Sequence, residues 1–216
     1  MNQPPQPRPQ PGGMTVYLVD DEPAVRQALG FLLRSRGLQV QAFESGEALL
    51  AALDSWPQVP PGCFVLDVRM NEGMSGLALH EALIARRLRQ PVLFLSGHGD
   101  IPMVVDALKK GAFDFLEKPY SDNTLVDRIQ QALDVAAAQG ADAARDAEVR
   151  ARLASLTPRE RDVMRMVAAG RLNKQIAADL ALAMRTVEVY RARVFAKLEL
   201  RSAAELGALL AQHPES

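Results

Sequence analysis

Gly62-Cys63-Phe64-Val65-Leu66-Asp67 is a short, nearly uninterrupted apolar run that closes on a carboxylate. Such a run reads as a strand buried on both faces, the pattern of a parallel sheet covered by helices. Three more segments share its design. Val16-Tyr17-Leu18-Val19 precedes Asp20-Asp21, Pro91-Val92-Leu93-Phe94-Leu95 precedes Ser96, and Phe113-Asp114-Phe115-Leu116-Glu117 precedes Lys118-Pro119. If these are parallel central strands, their carboxyl ends share one edge, where open α/β sheets gather their ligand chemistry.

The segments between them carry helical periodicity. Val25, Leu29, Leu32 and Leu33 form an apolar series that Gly37 stops, and Leu38–Phe43 reads as another strand. Ser45 caps a helix through Glu47, Ala48, Leu49 and Leu53 that ends at Trp56-Pro57. Residues 75–88, 101–110 and a helix from Ser121 or Asp122 through Val135 complete five βα units. The expected fold is a doubly wound, five-stranded parallel sheet of flavodoxin-like type, covered on both faces.

Beyond this the pattern changes. Residues 137–153 are Ala-rich with few large apolar groups, which predicts a partly helical linker with Gly140 as a candidate interruption. From Leu156 on there are no strand signals. Thr157-Pro158-Arg159-Glu160 has the form of a capping box and opens a helix that closes at Gly170. Helices at about 174–180, 185–198 and 203–211 follow, a helix-turn-helix arrangement. The expected domains are a disordered Pro- and Gln-rich leader (1–13), an α/β domain (14–136), the linker (137–153) and an all-α domain (154–216).

Charge follows the same division. The 216 residues carry a net charge of -1, yet residues 1–150 hold 14 Lys and Arg against 19 Asp and Glu, and residues 151–216 hold 11 against 7. An acidic front and a basic back indicate two domains with different partners. The apolar content of 48% and charged content of 24% are those of a soluble globular chain. The single cysteine, Cys63, excludes an internal disulfide and fits a reducing, cytoplasmic compartment. No stretch is long and apolar enough for a membrane span, so no membrane partner is expected.

At the shared edge, Asp20, Asp21 and Asp67 would form an oxygen-rich site suited to Mg2+. Clustering three carboxylates without a cation is electrostatically costly. Lys118 would pair with oxygens of a phosphoryl group and Ser96 would donate a hydrogen bond to it, with Asp67 as the attacking carboxylate. These residues by themselves leave a magnesium-dependent phosphatase open.

Four motifs in order narrow the choice: Val19-Asp20-Asp21-Glu22, Leu66-Asp67-Val68-Arg69-Met70, Leu95-Ser96-Gly97-His98-Gly99-Asp100 and Phe115-Leu116-Glu117-Lys118-Pro119. Residues 15–135 resemble the receiver domain of a bacterial two-component response regulator. The resemblance implies that Asp67 accepts a phosphoryl group from a sensor histidine kinase. It implies that Asp20 and Asp21 bind Mg2+ with Asp67 and the Arg69 backbone carbonyl. Ser96 and Phe115 would act as switch residues and Lys118 as the phosphate contact, with His98 in the loop after Ser96. One departure stands out. Family members commonly have a Met-Pro-Gly or Met-Pro-Asp turn before Met-Ser-Gly, whereas here Met70-Asn71-Glu72-Gly73-Met74-Ser75-Gly76 lacks the proline and is one residue longer. Loss of the fixed φ and the added length predict a looser loop beside Asp67, with Glu72 bringing further negative charge.

In the second half, Arg185, Arg191, Arg193 and Lys197 all fall on the third helix, whose inward stripe is Val187, Tyr190, Val194 and Leu198. Glu188, Val189 and Ala192 then lie outward, flanked by Arg185, Arg191 and Arg193, as a groove-reading helix requires. Leu156-Thr157-Pro158-Arg159-Glu160, Asn173-Lys174-Gln175-Ile176-Ala177, Arg185-Thr186-Val187-Glu188-Val189-Tyr190 and Lys197-Leu198 resemble the LuxR-type helix-turn-helix of the FixJ/NarL class. That implies phosphate contact by Lys174 and base contact by Glu188, Val189 and Ala192.

Together the resemblances imply a DNA-binding transcription regulator controlled by phosphorylation, not primarily an enzyme, with only modest autophosphorylation and autodephosphorylation. Expected partners are a cognate sensor histidine kinase, double-stranded promoter DNA and a second copy of the chain, paired through residues 101–117 on phosphorylation. RNA polymerase is a further candidate partner. The alternative is a receiver-controlled protein interaction switch with weak or no DNA binding, working independently of phosphorylation.

Overall fold

The protein, seen in a computed structural model, is described for residues 13–70, 73–97 and 101–213. The expected leader is outside that range except for Gly13, as are Asn71, Glu72 and His98. The chain divides into two compact units, Met1–Ala141 and Asp142–Ser216.

The first unit is a parallel sheet in the order β2-β1-β3-β4-β5, with β1 Thr15–Val19, β2 Gln39–Phe43, β3 Gly62–Asp67, β4 Val92–Ser96 and β5 Asp114–Glu117. Helices α1 Pro23–Ser35, α2 Gly46–Ser55, α3 Gly76–Ala85, α4 Ile101–Lys109 and α5 Asp122–Ala154 alternate with the strands. The doubly wound expectation holds, and the period-2 alternation of each strand divides the core into two layers. Tyr17, Val19, Phe64, Leu66 and Phe94 face Leu49 and Leu53 of α2, Leu79 and Leu83 of α3 and Ala107 of α4. Val16, Leu18, Cys63, Val65, Leu93 and Leu95 face Leu29 and Leu33 of α1 and Leu125, Ile129 and Leu133 of α5. β1, β3 and β4 are buried at every position, which is why they read as continuous apolar runs.

Capping residues set several helix starts. Ser45 Oγ accepts from Ala48 N at 3.1 Å and Ser75 Oγ from Ala78 N at 3.2 Å. Helix α5 is one element of 33 residues and passes Gly140, the candidate interruption, without a break. A central glycine costs a helix about 1 kcal/mol relative to alanine, and the Ala-rich flanks here have the propensity to offset that.

The second unit holds the end of α5 and helices α6 Pro158–Ala168, α7 Asn173–Asp179, α8 Met184–Leu198 and α9 Ala203–Gln212. Leu156, Val163, Met164, Ile176, Val187, Val194, Leu198 and Leu206 form its core. The expected capping box is present: Thr157 Oγ1 accepts from Glu160 N at 3.3 Å and Glu160 Oε2 from Thr157 N at 2.8 Å.

Candidate functional site

Parallel register brings the strand ends level. Val19 lies beside Leu66, so the following residues, Asp20 and Asp67, arrive together at the carboxyl edge. Across β3, Asp67 lies beside Leu95, one residue before Ser96. Ser96 in turn lies beside Glu117, and its carbonyl oxygen accepts the Lys118 N–H at 2.8 Å. Four strands thus deliver Asp20, Asp67, Ser96 and Lys118 to one place.

One carboxylate oxygen from each of Asp20, Asp21 and Asp67 lies within 4.8 Å of the others. Lys118 Nζ is 3.2 Å from Asp67 Oδ1 and 4.0 Å from Asp20 Oδ2. Burial pushes the Asp20 carboxyl up to about 6, with the Glu22 N–H opposing at 2.9 Å and the Asp67 charge adding to the rise. Burial also raises the Asp67 carboxyl, while Lys118 and the Arg69 backbone N–H hold it down. The Lys118 ammonium thus lies against two of the three carboxylates, Asp67 and Asp20. Asp20 Oδ2 is buried with no hydrogen-bond partner among the described residues. A buried, unpartnered hard oxygen in a cluster of three carboxylates fits a divalent cation.

Ser96 is fully buried, and its Oγ likewise has no hydrogen-bond partner among the described residues. A buried hydroxyl left unsatisfied costs about 1–3 kcal/mol, which a bound oxyanion would recover. Phe115 is half-buried against the layer that contains Tyr17 and Phe94. Gly76 allows close approach at the rear of the site, since a Cβ there would collide with the Asp67 carbonyl oxygen.

Three neighbours carry no signal in the linear sequence. The Arg26 guanidinium donates to the Asp20 carbonyl oxygen at 2.7 Å. The Tyr120 phenol is pushed up to about 12 by burial, with the Asp20 and Asp67 charges adding to the shift. Glu47 Oε1 accepts the Met74 N–H at 2.7 Å, linking the first turn of α2 to the residue before the Ser75 cap.

On the second unit, α8 presents Arg185, Glu188, Val189, Ala192 and Arg193 to solvent, and Lys174 is exposed at the start of α7. Val187, Val194 and Leu198 are buried and Tyr190 is half-buried, as the stripe requires. Two cations of α8 turn elsewhere. Arg191 Nη1 donates to Asn173 Oδ1 at 3.0 Å, and its guanidinium carbon lies 5.6 Å from the Phe195 ring centroid. Lys197 Nζ is 2.7 Å from Glu160 Oε2 and donates to the Ser155 carbonyl oxygen at 3.1 Å.

Comparison with known proteins agrees with both halves. Residues 16–130 match the response regulator receiver domain and residues 154–210 match the bacterial regulatory proteins of the luxR family. The chain belongs to the FixJ/NarL response regulators. Among these, it is 49% identical over 194 residues to the C4-dicarboxylate transport transcriptional regulatory protein DctR of Rhodobacter capsulatus, covering 89% of this chain and 96% of that one. It is 43% identical over 191 residues to the transcriptional regulatory protein FixJ of Bradyrhizobium diazoefficiens, covering 88% and 91%. The structure of the response regulator StyR matches with a TM-score of 0.82 at 39% identity, covering 93% of this chain and all of that one. Full-length FixJ from B. japonicum matches with a TM-score of 0.56 at 42% identity, covering 92% and 96%. As a response regulator of this family, the chain joins a receiver to a LuxR-type DNA-binding domain and is a transcription regulator. The acidic cluster lies in the receiver, and among the described residues no helix is long and apolar enough to cross a membrane.

Proposed function

We propose that Asp67 is the phosphoacceptor of a sensor histidine kinase and that its phosphorylation controls the binding of duplex promoter DNA by α8. The observation that carries this reading is the convergence of Asp67, Lys118 and Ser96 at the edge where Asp20 and Asp21 lie. An Asp67 carboxylate oxygen attacks phosphorus; the phosphorus–nitrogen bond of the donor imidazole breaks, and its electron pair leaves on nitrogen. The Lys118 ammonium neutralises one oxygen of the arriving group, and the Ser96 hydroxyl donates to another. Mg2+ held by Asp20, Asp21, Asp67 and the Arg69 carbonyl would supply countercharge when bound.

Movement of Ser96 and Phe115 toward the phosphorylated state would shift a two-state equilibrium and let residues 101–117 pair two receivers. Paired chains then hold two α8 helices on two half-sites, so that weak single contacts reinforce each other. Lys174, Arg185 and Arg193 meet phosphates, and Glu188, Val189 and Ala192 meet base edges. Arg191 supports this face through its bond to Asn173. RNA polymerase remains a candidate contact of the DNA-bound dimer, and the expected domain limits are 14–136 and 154–216.

The test treats wild type and Asp67→Asn with phosphoramidate and Mg2+, then measures mass, oligomeric state and affinity for a duplex DNA pool. A phosphoryl adduct, dimerisation and tighter binding in wild type alone support the reading. Equal dimerisation and binding in both proteins overturn control by Asp67. No DNA affinity at low salt in either state would instead favour an output domain that binds protein.

A further inference from the structure

Helices α7 and α8 are closed on each other at two separate points. One is the turn between them, where Leu182 N donates to the Ala177 carbonyl oxygen at 2.9 Å and Ala181 takes φ +53, in the left-handed region. The other is a side-chain bond that spans 18 residues of sequence. Arg191, about two turns into α8, donates from Nη1 to Oδ1 of Asn173, the first residue of α7, at 3.0 Å. Ile176 of α7 and Val187 of α8 are both fully buried in the shared core. Held at two points as well as through the core, the helices have less freedom to slide against each other than the turn alone would leave them.

A second contact orients the guanidinium. Its central carbon lies 5.6 Å from the ring centroid of Phe195, one turn further along α8, and Phe195 itself packs against the core. Arg191 is half-buried, whereas Arg185 and Arg193 of the same helix are exposed. The start of α7 likewise relies on side chains inside the helix. Leu172, at the N-cap position, has no polar group to offer, and Gln175 Oε1 accepts its N–H at 2.9 Å. Asn173 comes next, followed by Lys174, which is exposed in the same first turn. Glu188 and Ala192 lie within one turn of Arg191 on α8 and are exposed. The Asn173–Arg191 bond therefore ties the backbone that carries Lys174 to the backbone that carries the outward residues of α8.

We infer that Asn173 is a positioning residue for sequence reading: through Arg191 it sets the register between the phosphate contact at Lys174 and the base-facing Glu188, Val189 and Ala192. Phosphate contacts fix where a protein lies on the duplex and base contacts read the sequence, so discrimination requires that both be held in one geometry. Asn173 and Arg191 touch neither phosphate nor base in this role. The inference rests on α8 being the helix that reads DNA.

The experiment uses full-length wild type, Asn173→Ala, Arg191→Met and the double variant, each treated with phosphoramidate and Mg2+. The probes are the duplex that wild type enriches from a random pool and a duplex of the same composition with its sequence scrambled. Affinity is measured over a range of salt concentrations, and melting temperature in parallel. Each single variant is expected to lose about three- to tenfold in affinity for the enriched duplex, the scale of one hydrogen bond. The double variant is expected to lose no more than either single one, because both substitutions break the same bond. Affinity of Asn173→Ala for the scrambled duplex is expected to stay within about twofold of wild type, and the salt slope to stay unchanged in both single variants. A larger loss in Arg191→Met with a slope lower by about one would make Arg191 itself a phosphate contact and overturn the inference. Wild-type affinity and discrimination in Asn173→Ala would overturn it as well. So would equal losses on the two duplexes that follow the melting temperatures, since these mean a general loss of fold. If wild type enriches no sequence, the DNA reading fails and the inference with it, a result distinct from all the others.

Discussion

Asp20 bears the largest cost of any single residue at the acidic edge. Its side chain is 1% exposed and its carboxyl is pushed up to about 6 from 3.8, burial being the main cause. Between those two values the folded state binds more protons than the unfolded state, so stability falls as pH rises from about 4 to about 6 and stays low above that. A displacement of two pH units corresponds to about 3 kcal/mol at most, and a realistic share is about 1–2 kcal/mol. In EDTA at pH 7.5, Asp20→Asn is therefore expected to stabilise the receiver by that amount and to flatten its pH dependence. The amide oxygen can still accept the Glu22 N–H. Urea unfolding followed through Trp56, the only tryptophan and a neighbour of the receiver core, provides the measurement. Added Mg2+ is expected to reverse the order by stabilising wild type and leaving Asp20→Asn almost unchanged. A metal-free Asp20→Asn protein less stable than wild type at pH 7.5 would contradict the account.

In the elements of the helical unit, cations on α8 divide into those that face solvent and those that hold α8 in place. Glu160 is buried; the Lys197 ammonium and the Thr157 N–H keep its carboxyl below the usual range, and one oxygen serves both. Its contribution is present above about pH 4.5 and is lost as pH falls through the lowered value. Lys197→Met leaves that carboxylate without its cation and is expected to cost about 1–3 kcal/mol in unfolding of the helical unit, measured by circular dichroism in urea. Lys174→Ala is expected to leave stability within about 0.5 kcal/mol and to reduce the salt slope of DNA binding by about one. Equal slopes for wild type and Lys174→Ala would remove Lys174 from the phosphate contacts. These two lysines are indistinguishable by composition, and the difference between them is a contact across 37 residues. Local features were legible in advance: the runs that became β1, β3 and β4, the caps at Ser45 and Thr157, and the buried stripe of α8 each follow from neighbours in sequence. The Glu47–Met74 bond, the inward turn of Arg191 and the length of α5 were not, because each depends on packing or helix continuation that a local pattern does not encode.

The molecule as a whole is joined through α5, whose residues 137–148 are all exposed. Its anchored part ends with Ala136, the last buried residue of the helix, and its far part includes Arg152, paired with Glu148 at 2.8 Å and Glu199 at 2.9 Å. Between them the side-chain support among the described residues is the Arg145–Asp142 contact at 3.4 Å, worth about 0.2–0.5 kcal/mol, and the approach of His213 Nε2 to Asp146 Oδ1 at 3.8 Å. Local melting of this stretch removes no buried apolar group, so it should open far more often than either core. The exposed turn near Arg87 is a competing site for a protease, but opening it would pull Leu83 and Val92 out of the receiver core. That costs several kcal/mol and makes the cut slow. Dilute trypsin is therefore expected to cleave first after Arg145 or Arg150, giving two fragments that each keep their helical signal and their own cooperative unfolding. Intact mass spectrometry over a time course identifies the first bond cut. Initial cleavage within residues 15–133 or 156–210 would mean that the exposed part of α5 is more stable than its packing accounts for.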